Sequence, residues 1–197
     1  MNGQHTGTFG AVSAISFNGN KILTTGGGGM VLTDDVSIAG YPKHITTTAK
    51  ISHPYEFVHD TIAYNYRMPN LNAALGCAQI ERLGDFLTAK KYVATQWREL
   101  FRELDVSFFE PIPGASSNYW LNAISLPSRE ERDEFLRLTN ECGVMTRPIW
   151  QLMSDLKMFG GCQTDGLKNS LWLRDHVVNI PSSVPDGALT VQRGGRG

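Results

Sequence analysis

Between residues 11 and 33, two short apolar runs flank a single lysine and a block of four glycines. The first run is Ala11-Val-Ser-Ala-Ile-Ser-Phe17 and the second is Met30-Val-Leu-Thr33. Runs this short, bounded by Asn and Gly, predict two strands joined by a tight connection. The turn residues Asn18, Gly19 and Asn20 tolerate positive φ, so they can present Lys21 at an unusual angle. A lysine held against strands is partly desolvated, which favours the neutral, nucleophilic amine. Ser16, five residues earlier, can offer a hydroxyl to an anion near the same place. A lysine, a nearby hydroxyl and a glycine-rich approach are what an aldehyde cofactor carrying a phosphate needs. Spacing alone leaves a plain turn lysine open. Glycines 26 to 29 also invite a phosphate-loop reading. No G-K-[S/T] follows, however, and the next element reads as a strand, so they are taken as permissive backbone near the cofactor or a packed neighbour.

A second block lies downstream: His59, Ala63-Tyr-Asn65-Tyr-Arg67-Met68, then Leu71-Asn-Ala-Ala-Leu-Gly76. Taken with Ser-Phe-x-x-x-Lys and Thr-Thr-Gly-x-Gly-Gly-Met, it resembles the DegT/DnrJ/EryC1/StrS family of sugar aminotransferases, which use pyridoxal 5'-phosphate (PLP). The likeness runs from about Thr6 to Val184. The wording Phe-Asn-Gly-Asn-Lys and Tyr-Arg-Met-Pro-Asn-Leu-Asn is similar to the LegC-like branch, which aminates 4-keto nucleotide sugars on the route to legionaminic-type acids. The resemblance implies an α/β fold of the PLP-dependent transferase type I (aspartate aminotransferase-like). It also implies transfer of an amino group from an amino acid, glutamate by analogy, to a nucleotide-linked 4-keto-6-deoxy sugar. By the same resemblance Lys21 bonds the cofactor aldehyde and then moves a proton between the donor's Cα and the cofactor. Ser16 contacts the cofactor phosphate. Asn65 reaches the phosphate of a neighbouring subunit's cofactor, which implies a homodimer with shared sites. Arg67 binds a phosphate or a substrate carboxylate, or else forms a structural ion pair. The family's sugar 3-dehydratases carry His at the lysine position, and Lys21 argues against that activity.

The rest of the chain predicts supporting structure. Asp34-Asp35 can cap a short helix to about residue 42, followed by a polar loop over 46–55. Pro69 sits where a helix can begin, with Leu71, Ala74, Leu75 and Ala78 at helical spacing. A second periodic set runs from Leu83 to Leu104, with Gly84-Asp85 read as a kink or break between the two. Pro111 to Gly114 marks a boundary. Beyond it, 119–126 predicts a strand, Ser128 to Glu131 a capping box opening a helix to about Glu141, 144–150 a strand carrying Arg147, and 167–176 a helix. Taken with the resemblance, this implies residues 1–84 as the C-terminal part of a PLP-binding large domain, 85–184 as a small α+β domain, and 185–197 as a frayed tail. Tyr119, Trp120, Arg147 and Trp150 face either a nucleotide sugar or the core. His44, His53 and His59 match no compact metal motif.

A net charge of -1 gives no basic surface for nucleic acid or a membrane. The three cysteines lack C-x-x-C spacing and fit a reducing compartment. No apolar run is long enough to span a bilayer, and residues 1–10 lack a signal-peptide pattern, so the cytoplasm is the expected location. The alternative to an enzyme is a non-catalytic fragment or scaffold with a decayed cofactor site. Residues 1–20 contain no Asp, Glu or Trp. The resemblance places upstream of the lysine an aspartate for the pyridine nitrogen and an aromatic stacked on the ring. The large domain is therefore expected to be incomplete, and this chain alone is expected not to be a competent aminotransferase.

Overall fold

The computed structural model describes residues 1–185. The chain forms two compact units, residues 1–86 with 113–116, and residues 87–112 with the remainder from 117. The tail read from residue 185 lies, from residue 186 on, outside the described residues.

The first unit opens with β1 (Ser13–Ser16) and β2 (Gly29–Leu32), an antiparallel pair in the register Ser13↔Leu32 to Ser16↔Gly29. The pair was expected, but the connection is not tight. Residues 17–28 form a loop closed at its neck by Phe17, whose N–H donates to Gly28 and whose carbonyl accepts from Thr25 N–H at 3.1 Å. Gly29 permits this packing, because a Cβ there would lie 2.6 Å from the Ile15 carbonyl oxygen. Helix α1 (Val36–Thr46) starts at Asp35, whose carboxylate accepts from Ser37 N–H at 2.8 Å. It extends past the expected end near 42 and contains Pro42. The predicted loop over 46–55 holds half of a short antiparallel pair, β3 (Lys50–Ile51) with β4 (Val58–His59). Helix α2 (Asn70–Ile80) follows Pro69, which is its N-cap. The break between the two helical sets falls at residues 81–82, where Arg82 N–H turns back to Gln79 O at 3.1 Å, and not at Gly84-Asp85. One glycine costs a helix only about 1 kcal/mol, so Gly84 and Asp85 fit inside the first turn of α3 (Leu83–Glu103). Among the described residues, those buried in this unit are Thr25 and Ala49, whereas Val36, Leu71, Ile62, Tyr55 and Phe57 are more than four-fifths exposed.

The second unit takes in most of α3 and a four-stranded antiparallel sheet in the order β5-β6-β8-β7. Its strands are β5 (Ser107–Phe108), β6 (Asn122–Ser125), β7 (Arg147–Pro148) and β8 (Val177–Ile180). The predicted strands 119–126 and 144–150 are shorter than expected. Tyr119 is left-handed at φ 50, which stops β6 from starting earlier. Pro148 has no N–H to extend β7. Helix α4 (Arg129–Glu141) is capped by Ser128, whose Oγ accepts from Glu131 N–H at 3.2 Å, as the capping box predicts. Helix α5 (Lys168–His176) leads directly into β8. The core joins Phe101, Ile124, Val178 and Ile180, with Trp97, Phe108 and Phe135 packed against it.

Candidate cofactor site

Ser16 ends β1, and its Oγ accepts the Asn18 N–H at 3.3 Å. Because Oγ accepts there, the Ser16 O–H can still donate to an anion. Lys21 N–H closes the next turn onto Asn18 O at 3.0 Å, and the lysine side chain is half-buried. Local hydrogen bonds thus fold Ser16 and the Lys21 backbone into consecutive turns of the loop that leaves β1. The loop then turns back through Thr24, whose Oγ1 donates to Phe17 O at 3.0 Å, and through Thr25, whose Oγ1 donates to Gly27 O.

Asn65 and Arg67 lie elsewhere in the same unit, on an extended segment that returns beside the end of α1. Thr47 and Asn65 form an isolated antiparallel bridge, and Tyr66 N–H donates to Thr46 O at 2.8 Å. Both residues line a groove of about 960 Å³ with Lys43, Asn72 and the Gly27–Gly29 backbone. Two cations and no carboxylate line this groove, an arrangement suited to an anion. Ser16 and Lys21 are not among its lining residues.

The turn next to Asn65 is strained. Thr48 and Ala49 have φ of 73° and 47°, conformations that cost non-glycine residues about 1–3 kcal/mol each. His59 Nδ1 donates to Thr48 O at 2.6 Å, and His44 Nε2 meets Asp60 Oδ1 at 2.7 Å, bracing that turn. Metal-ligand spacing gave these histidines no role, and no local pattern pairs residue 44 with residue 60. Among the described residues, no group of three or more His, Cys, Asp or Glu is placed to hold a metal.

In the second unit Trp120 stacks on Trp150 with centroids 6.4 Å apart, and Trp150 is mostly exposed. Arg147 donates to Asn140 Oδ1 at 2.7 Å and to Thr146 O at 2.8 Å. Tyr119 is half-buried.

The profile of the DegT/DnrJ/EryC1/StrS aminotransferase family matches residues 1–188. The chain belongs to this family. It is 34% identical over 157 residues to GDP-perosamine synthase of Escherichia coli O157:H7, covering 80% of this chain and 43% of that protein. Helicobacter pylori PseC, an aminotransferase of pseudoaminic acid biosynthesis, superposes with a TM-score of 0.86 at 17% identity, over 97% of this chain and 53% of PseC. The Escherichia coli GDP-4-keto-6-deoxy-D-mannose-3-dehydratase with bound hydrated PLP superposes with a TM-score of 0.76 at 19% identity, over 94% of this chain and 53% of that one. The fold is therefore the PLP-dependent transferase type I fold, and the chain spans about half the length of the relatives it matches. The family's cofactor is PLP. The donors at the end of β1 fit it, since an amine meets an aldehyde and a hydroxyl meets a phosphate. No described helix is long and apolar enough to cross a membrane.

Proposed function

We propose that this chain is the lysine-bearing portion of a PLP-dependent sugar aminotransferase. It would move an amino group from an amino acid, glutamate by analogy, to a nucleotide-linked 4-keto-6-deoxy sugar, in nonulosonic (legionaminic-type) acid or surface polysaccharide biosynthesis. The observation that carries this reading is that Ser16 ends β1 and Lys21 lies in the loop that follows it, in a member of this family. PLP supplies an electron sink when bound. Lys21 anchors it through the amine and, once released, holds and moves the proton at the donor's Cα. Ser16 donates its O–H to the phosphate, and Arg67 with Lys43 attracts the charged part of a substrate to the groove.

The working unit is a homodimer in the cytoplasm, with Asn65 serving the partner's cofactor. Its support is that Asn65 lines a groove that Lys21 does not line. The exposed Ile62, Tyr55, Phe57 and Leu71 agree with a unit that needs covering by further protein. Residues 1–197 assayed alone are expected to be inactive, because none of residues 1–20 offers a carboxylate for the pyridine nitrogen. This same feature favours the second reading, a scaffold with a decayed site.

Titration of residues 1–197 with PLP, borohydride reduction and peptide mapping test the assignment. Label on Lys21 is expected. Label confined to Lys43 or Lys50 would remove the catalytic reading. A panel of nucleotide sugars with glutamate, run on a protein of the relatives' full length bearing this chain, tests the substrate class, and activity restricted to free amino acids would refute it.

A further inference from the structure

The second sequence block, Leu71 to Gly76, has no chemistry of its own in the reading above, and the structure gives it a task. Asn72, Gly76 and Gln79 recur at intervals of four and three residues on α2, so they share one face of that helix. All three meet the lysine loop at one place. Thr24 N–H donates to Gln79 Oε1 at 3.1 Å. Asn72 Nδ2 donates to Thr25 O at 2.5 Å. Between them the helix comes so close that a Cβ on Gly76 would sit 3.0 Å from Thr25 Cγ2. Thr25 is 2% exposed, one of the two buried residues described in this unit. Its N–H runs back to Phe17, next to Ser16, so the clamp fixes the loop on both sides of Lys21.

We propose that Asn72, Gly76 and Gln79 are positioning residues for Lys21, gripping the Thr24-Thr25 backbone so that the amine is held at a set distance from the Ser16 hydroxyl. The proposal rests on Lys21 being the cofactor lysine. The chemistry of the grip is directional. A backbone N–H can only donate, so residue 79 must accept; a carbonyl can only accept, so residue 72 must donate. Glutamate can therefore replace Gln79, but aspartate cannot replace Asn72. A Cβ at position 76 would meet the Thr25 methyl at 3.0 Å, so Thr25 or the helix must give by a few tenths of an ångström.

The test compares Gln79→Glu, Gln79→Ala, Asn72→Asp and Gly76→Ala in the 197-residue chain. Two readouts are taken: hydrogen exchange over residues 22–26, and the share of borohydride-fixed pyridoxyl label carried by Lys21 rather than by other lysines. Loss of one partly buried hydrogen bond corresponds to about a tenfold faster exchange. Gln79→Ala, Asn72→Asp and Gly76→Ala should each show that acceleration and a fallen Lys21 share. Gln79→Glu should keep both close to the parent. Parent-like exchange in Gln79→Ala, or a Gln79→Glu variant as impaired as Gln79→Ala, overturns the clamp. If the parent itself takes no label on Lys21, the proposed function fails. The exchange pattern across the four variants still decides the clamp, because it requires no cofactor.

Discussion

Lys90→Met should destabilise the second unit even though it removes a buried charge. Lys90 on α3 is 9% exposed, and its Nζ donates to the Trp120 carbonyl at 3.0 Å and to the Ser182 carbonyl. Its partners are carbonyls from two distant segments, so the lysine ties the helix to the residues flanking β6 and β8. Methionine keeps an unbranched apolar stem of similar length but has no N–H. Each carbonyl left buried without a donor costs about 1–3 kcal/mol. Relief from desolvating the ammonium returns part of this, leaving a net loss of about 2–4 kcal/mol. For a unit of this size the melting temperature falls by about 10–20 °C. All four tryptophans, Trp97, Trp120, Trp150 and Trp172, lie in this unit, so tryptophan fluorescence in a urea titration reports it selectively. The midpoint should drop with the slope unchanged. Burial holds the Lys90 amine below its ordinary value of 10.5. Between the folded and unfolded values the unfolded chain binds more protons, so parent stability rises with pH in that window. The variant lacks this slope, and the gap between the two should widen as pH approaches 10.5. A variant as stable as the parent, or a gap that narrows with rising pH, would refute the tie and leave Lys90 as a net cost.

Ile124→Ala, at a fully buried position of β6, should cost about 2–5 kcal/mol in the same titration. A loss under about 1 kcal/mol would mean the core collapses around the cavity. The Ser37 hydroxyl and then the Ser37 N–H hold the Asp35 carboxyl below its ordinary value of 3.8. The stability it lends α1 is present above that value and lost as pH falls through the folded-state value. Circular dichroism should show an acid transition that Asp35→Asn flattens. Mixing chains carrying Lys21→Ala with chains carrying Asn65→Ala, each in a protein of the relatives' length, should restore part of the activity through hybrid dimers. No recovery despite verified subunit exchange would count against shared sites.

Features carried by neighbours in the chain were legible before any coordinates. Ser128 and Glu131 form their cap three residues apart, Asp35 caps α1 across two residues, and Ser16, Asn18 and Lys21 fold one turn on local hydrogen bonds. The same logic misled where a weak local signal was overruled. Gly84-Asp85 looked like a break, yet the helix tolerates both, and the apolar run at 144–150 holds only a two-residue strand.

Chain order and side-chain chemistry thus specified the family and the helices, because each rests on spacings of a few residues within the chain. Partners far apart in the chain are of another kind. Gln79 lies 55 residues from Thr24, Asn72 lies 47 from Thr25, and Lys90 lies 92 from Ser182. Nothing in residue type selects one asparagine or glutamine over another at such distances. The choice is made when helices and loops pack, since burying a backbone N–H or carbonyl demands a partner, and only the folded arrangement decides which side chain stands within reach.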